Sequence, residues 1–450
     1  MMREPAFSLL EKPIPMPLRG RRVLVLGLGD TGLSVARWVE RCGGTPRVAD
    51  TRQSPPRKTD FKGDLHTGPF GDALLEGVEL LCISPGLALE EPLIVEARQR
   101  RIPVVGDVEL FAWQNAAKVL AITGTNGKST VTALTGHLLR SAGIDCEVAG
   151  NISPPVLDAL LSRNKPPAVW VLELSSYQLE TTWSLAPHAA TVLNITEDHL
   201  DRYPELEDYA AAKARIFQGD GVQVLNRDDP RVLAMALPGR KQTTFSLSDS
   251  ADFCIRDGAL IAGGRKLLEG AALPIRGWHN AANALAACAL ASTLNVPIEA
   301  LRAGLKTFRG LPHRLELVRT RHGIEWYDDS KGTNVGATVA AVRGLEGSFV
   351  LIAGGLGKGA DFQPLAAALQ RRARAVVLIG TDAPRIADAL AGSCRVERAT
   401  SMEEAVRRAG DLAEPGDAVL LSPACASQDM FVDYADRGDQ FARAVRSRIT

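Results

Sequence analysis

The sequence lacks the features that mark membrane-bound, secreted or nucleic-acid-binding proteins. Its 52 Lys and Arg residues balance 52 Asp and Glu residues, so net charge favours neither a nucleic acid nor an anionic membrane as partner. No apolar run is long enough to span a bilayer, and the proline-containing N-terminus has no apolar signal-peptide core. We therefore expect a cytoplasmic protein without a membrane segment.

Closely spaced cysteine pairs are also missing. The seven cysteines are an odd number, scattered at Cys42, Cys82, Cys146, Cys254, Cys288, Cys394 and Cys425. This distribution is typical of reduced thiols in a cytosol and argues against a disulfide framework. The sequence also has no tandem repeat at a solenoid period and no low-complexity tract.

The chain is too long for one hydrophobic core, since 450 residues predict about three domains. Strand-like runs alternate with helical patterns in three segments, which begin with VLVLG after Arg22, with KVLAITG at Lys118, and near Leu311. This alternation predicts an α/β protein with three mostly parallel sheets in series. We expect a Rossmann-like domain at 1–107, a P-loop ATPase domain at 108–310 and a second Rossmann-like domain at 311–450.

The most specific local signal is ITGTNGKST, in which a strand enters a Gly-rich turn and a helix opens. Backbone N–H groups of such a turn bind phosphate, the lysine reaches the terminal phosphates, and a hydroxyl binds Mg²⁺. The loop is a shorter variant, because Ile122 stands where the general pattern has its first glycine. A structural glycine turn is the alternative. The residues expected to bind phosphate are Gly124, Thr125, Asn126, Gly127, Lys128, Ser129 and Thr130.

A second Gly-rich turn, Gly27 to Gly32, follows the first strand, and Asp50 ends the next one. Taken alone, this pattern supports NAD binding, although the same geometry holds any diphosphate. Thr51 and Arg52 follow Asp50 and offer a hydroxyl and a cation, which favours a nucleotide's polar groups over a single ribose-binding acid.

Candidate Mg²⁺ ligands follow two strands of the middle segment. Glu173 lies near the end of VWVLELSS, and Asn194, Asp198 and His199 lie at or beyond the end of TVLNIT. Ligands gather at the carboxyl ends of parallel strands, so these groups should lie beside the phosphate loop. Lys213 lies on a helical pattern and, taken alone, is typical of a solvated lysine.

Nine motifs, in this order, resemble the Mur ligase family over essentially the whole chain. They are GTNGKST, ELSSYQLE, NITEDHLDRY, YAAAKARIF, WHNAANALAA, GLPHRLE, DDSKGTN, GGLGKGADF and LSPACASQDMF. ELSSYQLE and the SPACAS run resemble the members that add D-glutamate.

The resemblance implies an ATP-dependent ligase that joins D-glutamate to UDP-N-acetylmuramoyl-L-alanine in peptidoglycan precursor synthesis. It implies an acyl-phosphate intermediate, ATP and two Mg²⁺ ions as cofactors, and closure of three domains around one site. The D-glutamate amine must lose a proton, to His199 or to a departing phosphate oxygen. We expect a monomer.

The resemblance also implies roles for individual residues. Ser129, Glu173, His199 and a carbamylated Lys213 would hold the metals beside Lys128, and Asn280 and Asn283 would contact adenine. Arg314, Asp329 and Lys331 would bring the third domain to ATP. The UDP-sugar would contact Asp30, Thr31, Thr51, Arg52, Ser84, Gly86 and Asn151. The D-glutamate would contact Thr333, Lys358, Ser427, Gln428 and Tyr434, the last of which stands where the family often has Phe.

Three other functions compete with this interpretation. An NAD-dependent oxidoreductase would explain Gly27 to Gly32 but not the phosphate loop, and it would change nicotinamide absorbance. A nucleotide-gated scaffold would bind nucleotide without substrate-dependent turnover. A ligase for another amino acid is the third; Lys358 and Ser427 favour an acidic one.

Overall fold

The computed structural model describes residues 7, 10–198, 202–203, 205–345, 347–370 and 372–447. Within them, three sheets follow one another along the chain, and helices pack on their faces. The prediction of an α/β protein with three mostly parallel sheets is confirmed. No helix in this described part combines the length and apolar character needed to cross a membrane.

The N-terminal sheet has five parallel strands in the order β3-β2-β1-β4-β5. Its strands are β1 (Arg22–Leu26), β2 (Thr45–Asp50), β3 (Asp64–Thr67), β4 (Leu80–Ile83) and β5 (Val104–Val105). Its helices are α1 (Asp30–Arg41), α2 (Pro92–Gln99) and α3 (Asp107–Gln114). After Arg22, strand β1 is a continuous buried apolar run, as is typical of a parallel sheet with both faces covered.

The central sheet has nine strands in the order β14-β13-β12-β11-β10-β9-β6-β8-β7. They are β6 (Lys118–Thr123), β7 (Cys146–Gly150), β8 (Val169–Glu173), β9 (Ala189–Val192), β10 (Val222–Asn226), β11 (Gln242–Phe245), β12 (Phe253–Arg256), β13 (Ala259–Ala262) and β14 (Arg265–Glu269). The helices are α4 (Lys128–Ser141), α5 (Val156–Leu161), α6 (Ser176–Glu180), α7 (Leu206–Ala214), α8 (Pro230–Leu233), α9 (Trp278–Ser292) and α10 (Ile298–Thr307). Strands β12, β13 and β14 form antiparallel hairpins at one edge, which the sequence patterns did not predict.

The C-terminal sheet has six strands in the order β15-β16-β20-β17-β18-β19, and β15 is antiparallel to β16. The strands are β15 (Glu316–Arg321), β16 (Ile324–Asp328), β17 (Phe349–Gly354), β18 (Ala373–Ile379), β19 (Arg395–Arg398) and β20 (Ala418–Leu421). The helices are α11 (Val335–Gly344), α12 (Gln363–Leu369), α13 (Ala383–Ala389), α14 (Met402–Leu412) and α15 (Tyr434–Ser447). The predicted domain boundaries near residues 107 and 311 stay predictions.

Apolar packing joins the first two units more closely than the third. One cluster of buried apolar side chains runs from β1 and β4 across α3 to β8, where the rings of Phe111 and Trp170 meet edge to face at 5.1 Å. The C-terminal unit instead buries two clusters of its own, one on each face of its sheet. The C-terminal unit therefore has a core that does not depend on its neighbours.

Candidate nucleotide and substrate site

The phosphate loop has the geometry that its sequence predicts. Strand β6 ends at Thr123, and α4 begins at Lys128 with no side-chain cap, so the first N–H groups of the helix are open to an anion. Gly124 and Gly127 have φ angles of 149° and 84°, which disfavour any side chain. A Cβ atom at Gly124 would lie 2.9 Å from the Cβ atom of Leu193, which follows the neighbouring strand β9.

Lys128 folds back over this loop. Its Nζ atom donates to the carbonyl oxygens of Gly124 at 2.9 Å and Thr125 at 2.8 Å. Burial lowers the pKa of Lys128, although the nearby Glu173 and Asp198 carboxylates act in the opposite direction. The ammonium group is therefore fixed at the mouth of the loop, where terminal phosphates of a nucleotide would lie.

Glu173 lies beside the loop because β8 pairs with β6, and Ile122 is directly opposite it. Its side chain is buried, and its Oε1 atom accepts a hydrogen bond from Asn151 Nδ2 at 2.9 Å. The other oxygen, Oε2, is buried and has no hydrogen-bond partner in the described part of the chain. A buried carboxylate oxygen without a partner fits a metal ligand, because leaving it unsatisfied is costly.

Lys213 comes to the same place from helix α7. The side chain is 1% exposed, and Nζ donates to Gly124 O at 3.0 Å and lies 4.4 Å from the Tyr209 ring centroid. Burial, followed by the charge of Lys128, places the pKa of Lys213 well below its ordinary value. The structure therefore holds a buried amine whose charged form is disfavoured, in contact with the phosphate loop.

His199, which the sequence placed among the metal ligands, lies outside the described residues. Asp198 precedes it and accepts a hydrogen bond from Asn334 Nδ2 at 3.1 Å. Asn334 also reaches Asn126 Oδ1 at 3.3 Å and caps helix α11. The sequence interpretation quoted Asn334 within DDSKGTN without assigning it a role, although an asparagine before a helical pattern is an N-cap signal.

The C-terminal unit contributes three of its predicted residues to the loop and its surroundings. Arg314 Nη2 donates to Ser129 Oγ at 2.9 Å, across the boundary between the two units. Burial raises the pKa of Asp329 to about 7, against the hydrogen bond from Ser422 Oγ at 2.7 Å. Burial lowers the pKa of Lys331 to about 8, and its Nζ lies 3.6 Å from the centroid of the Tyr434 ring.

A cavity lies between the central and C-terminal units beside the phosphate loop. Asn280 and Asn283 line it from α9, together with Arg314, Asp329 and Lys331. Asn283 Nδ2 donates to Asn280 Oδ1 at 3.1 Å, so the two amides are oriented as a pair. Buried amides next to a phosphate loop offer donors and acceptors to the edge of a base.

The N-terminal residues expected to contact the substrate gather at the carboxyl edge of the five-stranded sheet. Asp30 and Thr31 open α1, and Ser84 Oγ donates to Gly27 O at 3.2 Å. Thr51, Arg52 and Gly86 are exposed on adjoining loops. The remaining predicted residue, Asn151, follows β7 of the central sheet and lies beside Glu173.

Asp50 does not have the free carboxylate that an NAD-binding interpretation requires. Its Oδ2 atom accepts from Leu28 N and Arg52 Nη2, each at 2.7 Å, and Oδ1 accepts from Arg52 N and Nε. Burial raises its pKa, but these hydrogen bonds outweigh burial and lower it to about 2. Asp50 therefore braces the Gly-rich turn and Arg52, which leaves no open pair of oxygens for a ribose.

The residues expected to bind the amino acid lie on adjoining loops of the C-terminal sheet. The bridge between Leu356 and Ala426 brings the loop of Lys358 next to the loop of Ser427 and Gln428. Ala424 N donates to Gly332 O at 2.9 Å and so holds the loop of Thr333 against them. Ser427 Oγ is buried without a hydrogen-bond partner in the described chain, as expected of a hydroxyl facing a ligand site.

Arg437, which the sequence analysis missed, stabilises the loops of this site. Its guanidinium is fully buried and donates to Ser330 Oγ at 2.9 Å, Ser330 O at 2.7 Å and Cys425 O at 3.1 Å. It thus joins the two loops that carry Lys331 and Ser427. An arginine on an amphipathic helix carries no sequence signal of burial.

We expect Arg437→Met to lower the free energy of unfolding of the C-terminal unit by about 3 kcal/mol, because it leaves buried carbonyl groups without donors. Calorimetry and denaturant unfolding measure the change. Arg443→Met is the matched control, since Arg443 is exposed on the same helix. Equal stability of the two variants would contradict the stabilising role of the Arg437 hydrogen bonds.

Three family models match consecutive parts of the chain. The Mur ligase MurD-like N-terminal domain matches residues 21–106, the Mur ligase middle domain 122–291, and the Mur ligase glutamate ligase domain 313–425. A UDP-N-acetylmuramoylalanine–D-glutamate ligase of Nitrosospira multiformis is 55% identical over 96% of both chains. The enzyme of that name from Thiobacillus denitrificans is 53% identical and aligns over 96% of this chain and 97% of its own.

Solved structures share the fold at lower identity. The UDP-N-acetylmuramate-alanine ligase of Thermotoga maritima has a TM-score of 0.64 and 19% identity, covering 95% of this chain and 99% of its own. MurF of Acinetobacter baumannii has a TM-score of 0.62 and 18% identity, covering 94% and 93%. These likenesses concern the three-domain architecture alone.

Proposed function

The chain belongs to the Mur ligase family, and we propose that it joins D-glutamate to UDP-N-acetylmuramoyl-L-alanine at the expense of ATP. The observation that carries this proposal is the 55% identity, over 96% of both chains, to a curated D-glutamate ligase. The phosphate loop and the orphaned Glu173 oxygen support the ATP-dependent step, and the partnerless Ser427 hydroxyl supports a bound amino acid.

In the reaction that we propose, an oxygen of the L-alanine carboxylate attacks the γ-phosphorus of ATP, and ADP leaves. The D-glutamate amine then attacks the acyl carbon, loses a proton, and phosphate departs with the C–O bond electrons. Lys128 holds its ammonium over the phosphate loop, where it balances negative charge on the transferring group. Arg314 adds a second cation through its contact with Ser129.

The donor set around Glu173 fits magnesium. Glu173 Oε2 is a free hard oxygen, Ser129 offers a hydroxyl at the start of α4, and we propose His199 as a further ligand. We also propose that Lys213 carries a carbamate, which turns a buried amine into an anionic oxygen donor, and that two ions bind. Magnesium supplies charge neutralisation for phosphoryl transfer when bound.

Contacts between the central and C-terminal units support closure on the substrates. Arg314 with Ser129, and Asn334 with Asn126 and Asp198, are polar contacts that span the boundary, whereas the C-terminal core is self-contained. Such contacts can form and break without exposing a core, so the unit can move as a body. Closure would exclude the water that hydrolyses an acyl phosphate.

We assign the predicted residues to three ligands on this basis. ATP is bound by the phosphate loop together with Asn280, Asn283, Asp329 and Lys331. The UDP-sugar is bound by Asp30, Thr31, Thr51, Arg52, Ser84, Gly86 and Asn151. The D-glutamate is bound by Thr333, Lys358, Ser427, Gln428 and Tyr434. We also propose a cytoplasmic monomer with domains at 1–107, 108–310 and 311–450. Light scattering of the purified protein tests the monomer.

The decisive test is phosphate release from ATP with UDP-N-acetylmuramoyl-L-alanine present. We expect release with D-glutamate and none above background with L-glutamate or meso-diaminopimelate, because the proposed site accepts only glutamate of the D configuration. The amounts of ADP and of the amide product, measured by chromatography, should equal the amount of phosphate released. No release with any of the three amino acids would overturn the proposed reaction, and release with another one alone would reassign the acceptor.

A further inference from the structure

The loop that follows β2 carries an arginine that lies on the Gly-rich turn of the N-terminal unit. Arg57 Nε donates to Asp30 Oδ1 at 2.6 Å, and the Arg57 backbone N–H donates to Leu28 O at 3.3 Å. A weaker contact joins Arg57 Nη1 to Asp60 Oδ2 at 3.4 Å. The arginine is therefore fixed on the turn through both its backbone and its side chain.

Asp30 brings a negative charge to the end of a helix where the proposed function places a diphosphate. It is the first residue of α1, and the N-cap Gly29 provides no side-chain hydrogen bond, so the first N–H groups of the helix are open to an anion. The Asp30 carboxylate stands beside these N–H groups and opposes the approach of a diphosphate by like-charge repulsion. A UDP-sugar, which the proposed function places here, needs this charge to be offset.

Arg57 is the cation placed to offset it. Its guanidinium is about half exposed, with 45% of the side chain accessible, and Nη2 makes no hydrogen bond within the described chain. Arg52, the other arginine nearby, already donates hydrogen bonds from Nε and Nη2 to the buried Asp50 carboxylate. Arg57 can therefore neutralise Asp30 through Nε while Nη2 stays available to a ligand.

We propose that Arg57 is a further substrate-binding residue, which offsets the Asp30 charge and donates to the diphosphate of the UDP-sugar. The inference rests on the proposed function, because it takes the UDP-sugar as the ligand of the turn. A purely structural surface ion pair would instead fix the loop of residues 51–63 and nothing else. The two interpretations differ in the sign of one mutational effect.

The test measures UDP binding to the full chain by calorimetry, which requires no ligase turnover. We expect Arg57→Ala to weaken UDP binding about tenfold, the loss of one charge-assisted contact. We expect Asp30→Asn to tighten it, because the repulsion disappears while the backbone N–H groups remain. The double variant should bind UDP better than Arg57→Ala alone, because the unbalanced carboxylate is gone.

A structural ion pair predicts a different sign for Asp30→Asn alone, because Arg57→Ala and Asp30→Asn would then both weaken binding and both lower the thermal midpoint. Arg37→Ala is the control, since Arg37 is an exposed arginine on α1, the helix that begins at Asp30, and its loss should leave UDP binding unchanged. In the ligase assay, Arg57→Ala should raise the KM for the UDP-sugar and leave the KM for ATP unaltered.

The outcomes separate this inference from the proposed function. Wild-type UDP binding with no effect of Arg57→Ala would overturn the role of Arg57 and leave the ligase proposal standing. No UDP binding by the wild-type chain, together with no phosphate release, would overturn the proposed function itself.

Discussion

Lys128→Met is expected to lower the kcat of phosphate release by about three orders of magnitude, the scale seen when a preorganised group that stabilises transition-state charge is removed. The structure gives the reason, because Nζ is held between the Gly124 and Thr125 carbonyl oxygens at the mouth of the phosphate loop. Methionine keeps much of the side-chain length and removes the charge. Steady-state kinetics at saturating substrates measure the loss.

Comparing the change in kcat with the change in the KM for ATP shows which step Lys128 acts on. A lysine that acts on the transferring phosphoryl group should lower kcat far more than it raises the KM for ATP, since the charge builds up in the transition state. Lys118→Met is the matched control, because Lys118 is exposed at the start of β6, the strand that leads into the loop, and its loss should keep wild-type kinetics. A Lys128→Met enzyme within tenfold of wild type would reduce the loop to a structural glycine turn.

The phosphate loop could be predicted because its determinants are local. The end of a strand, two glycines that require positive φ, a lysine and the two hydroxyl residues after it lie within nine consecutive residues, and the backbone adopts the expected turn and helix start. The three sheets were predictable for a related reason, since short buried strands between helical patterns favour parallel pairing. In both cases, nearby residues determine the structure.

The antiparallel edge of the central sheet was missed although its signals were present. Asp257-Gly258 joins β12 to β13, and Gly263-Gly264 joins β13 to β14, with positive φ at all four residues. Such pairs are typical of two-residue hairpin turns.

Contacts between distant residues could not be predicted from local pattern. Arg314 and Ser129 are 185 positions apart, and Lys213 and Gly124 are 89 apart, so only the packing of whole elements brings them together. Lys213 was typical of a solvated helical lysine, and the family resemblance alone gave it a role. Arg437 had no sequence signal at all, because its burial depends on two loops that close around it.

Lys213→Ala is expected to lower kcat by about three orders of magnitude, because it removes a proposed oxygen donor next to the transferring phosphoryl group. The amine is suited to carbamylation, since burial and the charge of Lys128 place the pKa of Lys213 far below its ordinary value. A neutral amine attacks CO₂ to form an N–C bond, and one proton leaves, so the carbamate becomes more favourable as pH rises.

Chemical rescue distinguishes a carbamate from a simple lysine. In Lys213→Ala, acetate or another short carboxylate can enter the space that the side chain leaves and return an anionic oxygen beside Glu173, so activity should rise with carboxylate concentration and saturate. Lys213→Arg keeps a cation and leaves no such space, so the same acids should not restore the activity of that variant.

The activity of the wild-type enzyme should fall in CO₂-depleted buffer, most steeply at low pH, and return with bicarbonate. Unchanged activity in Lys213→Ala would rule out the carbamate, because no donor at this position would then be needed.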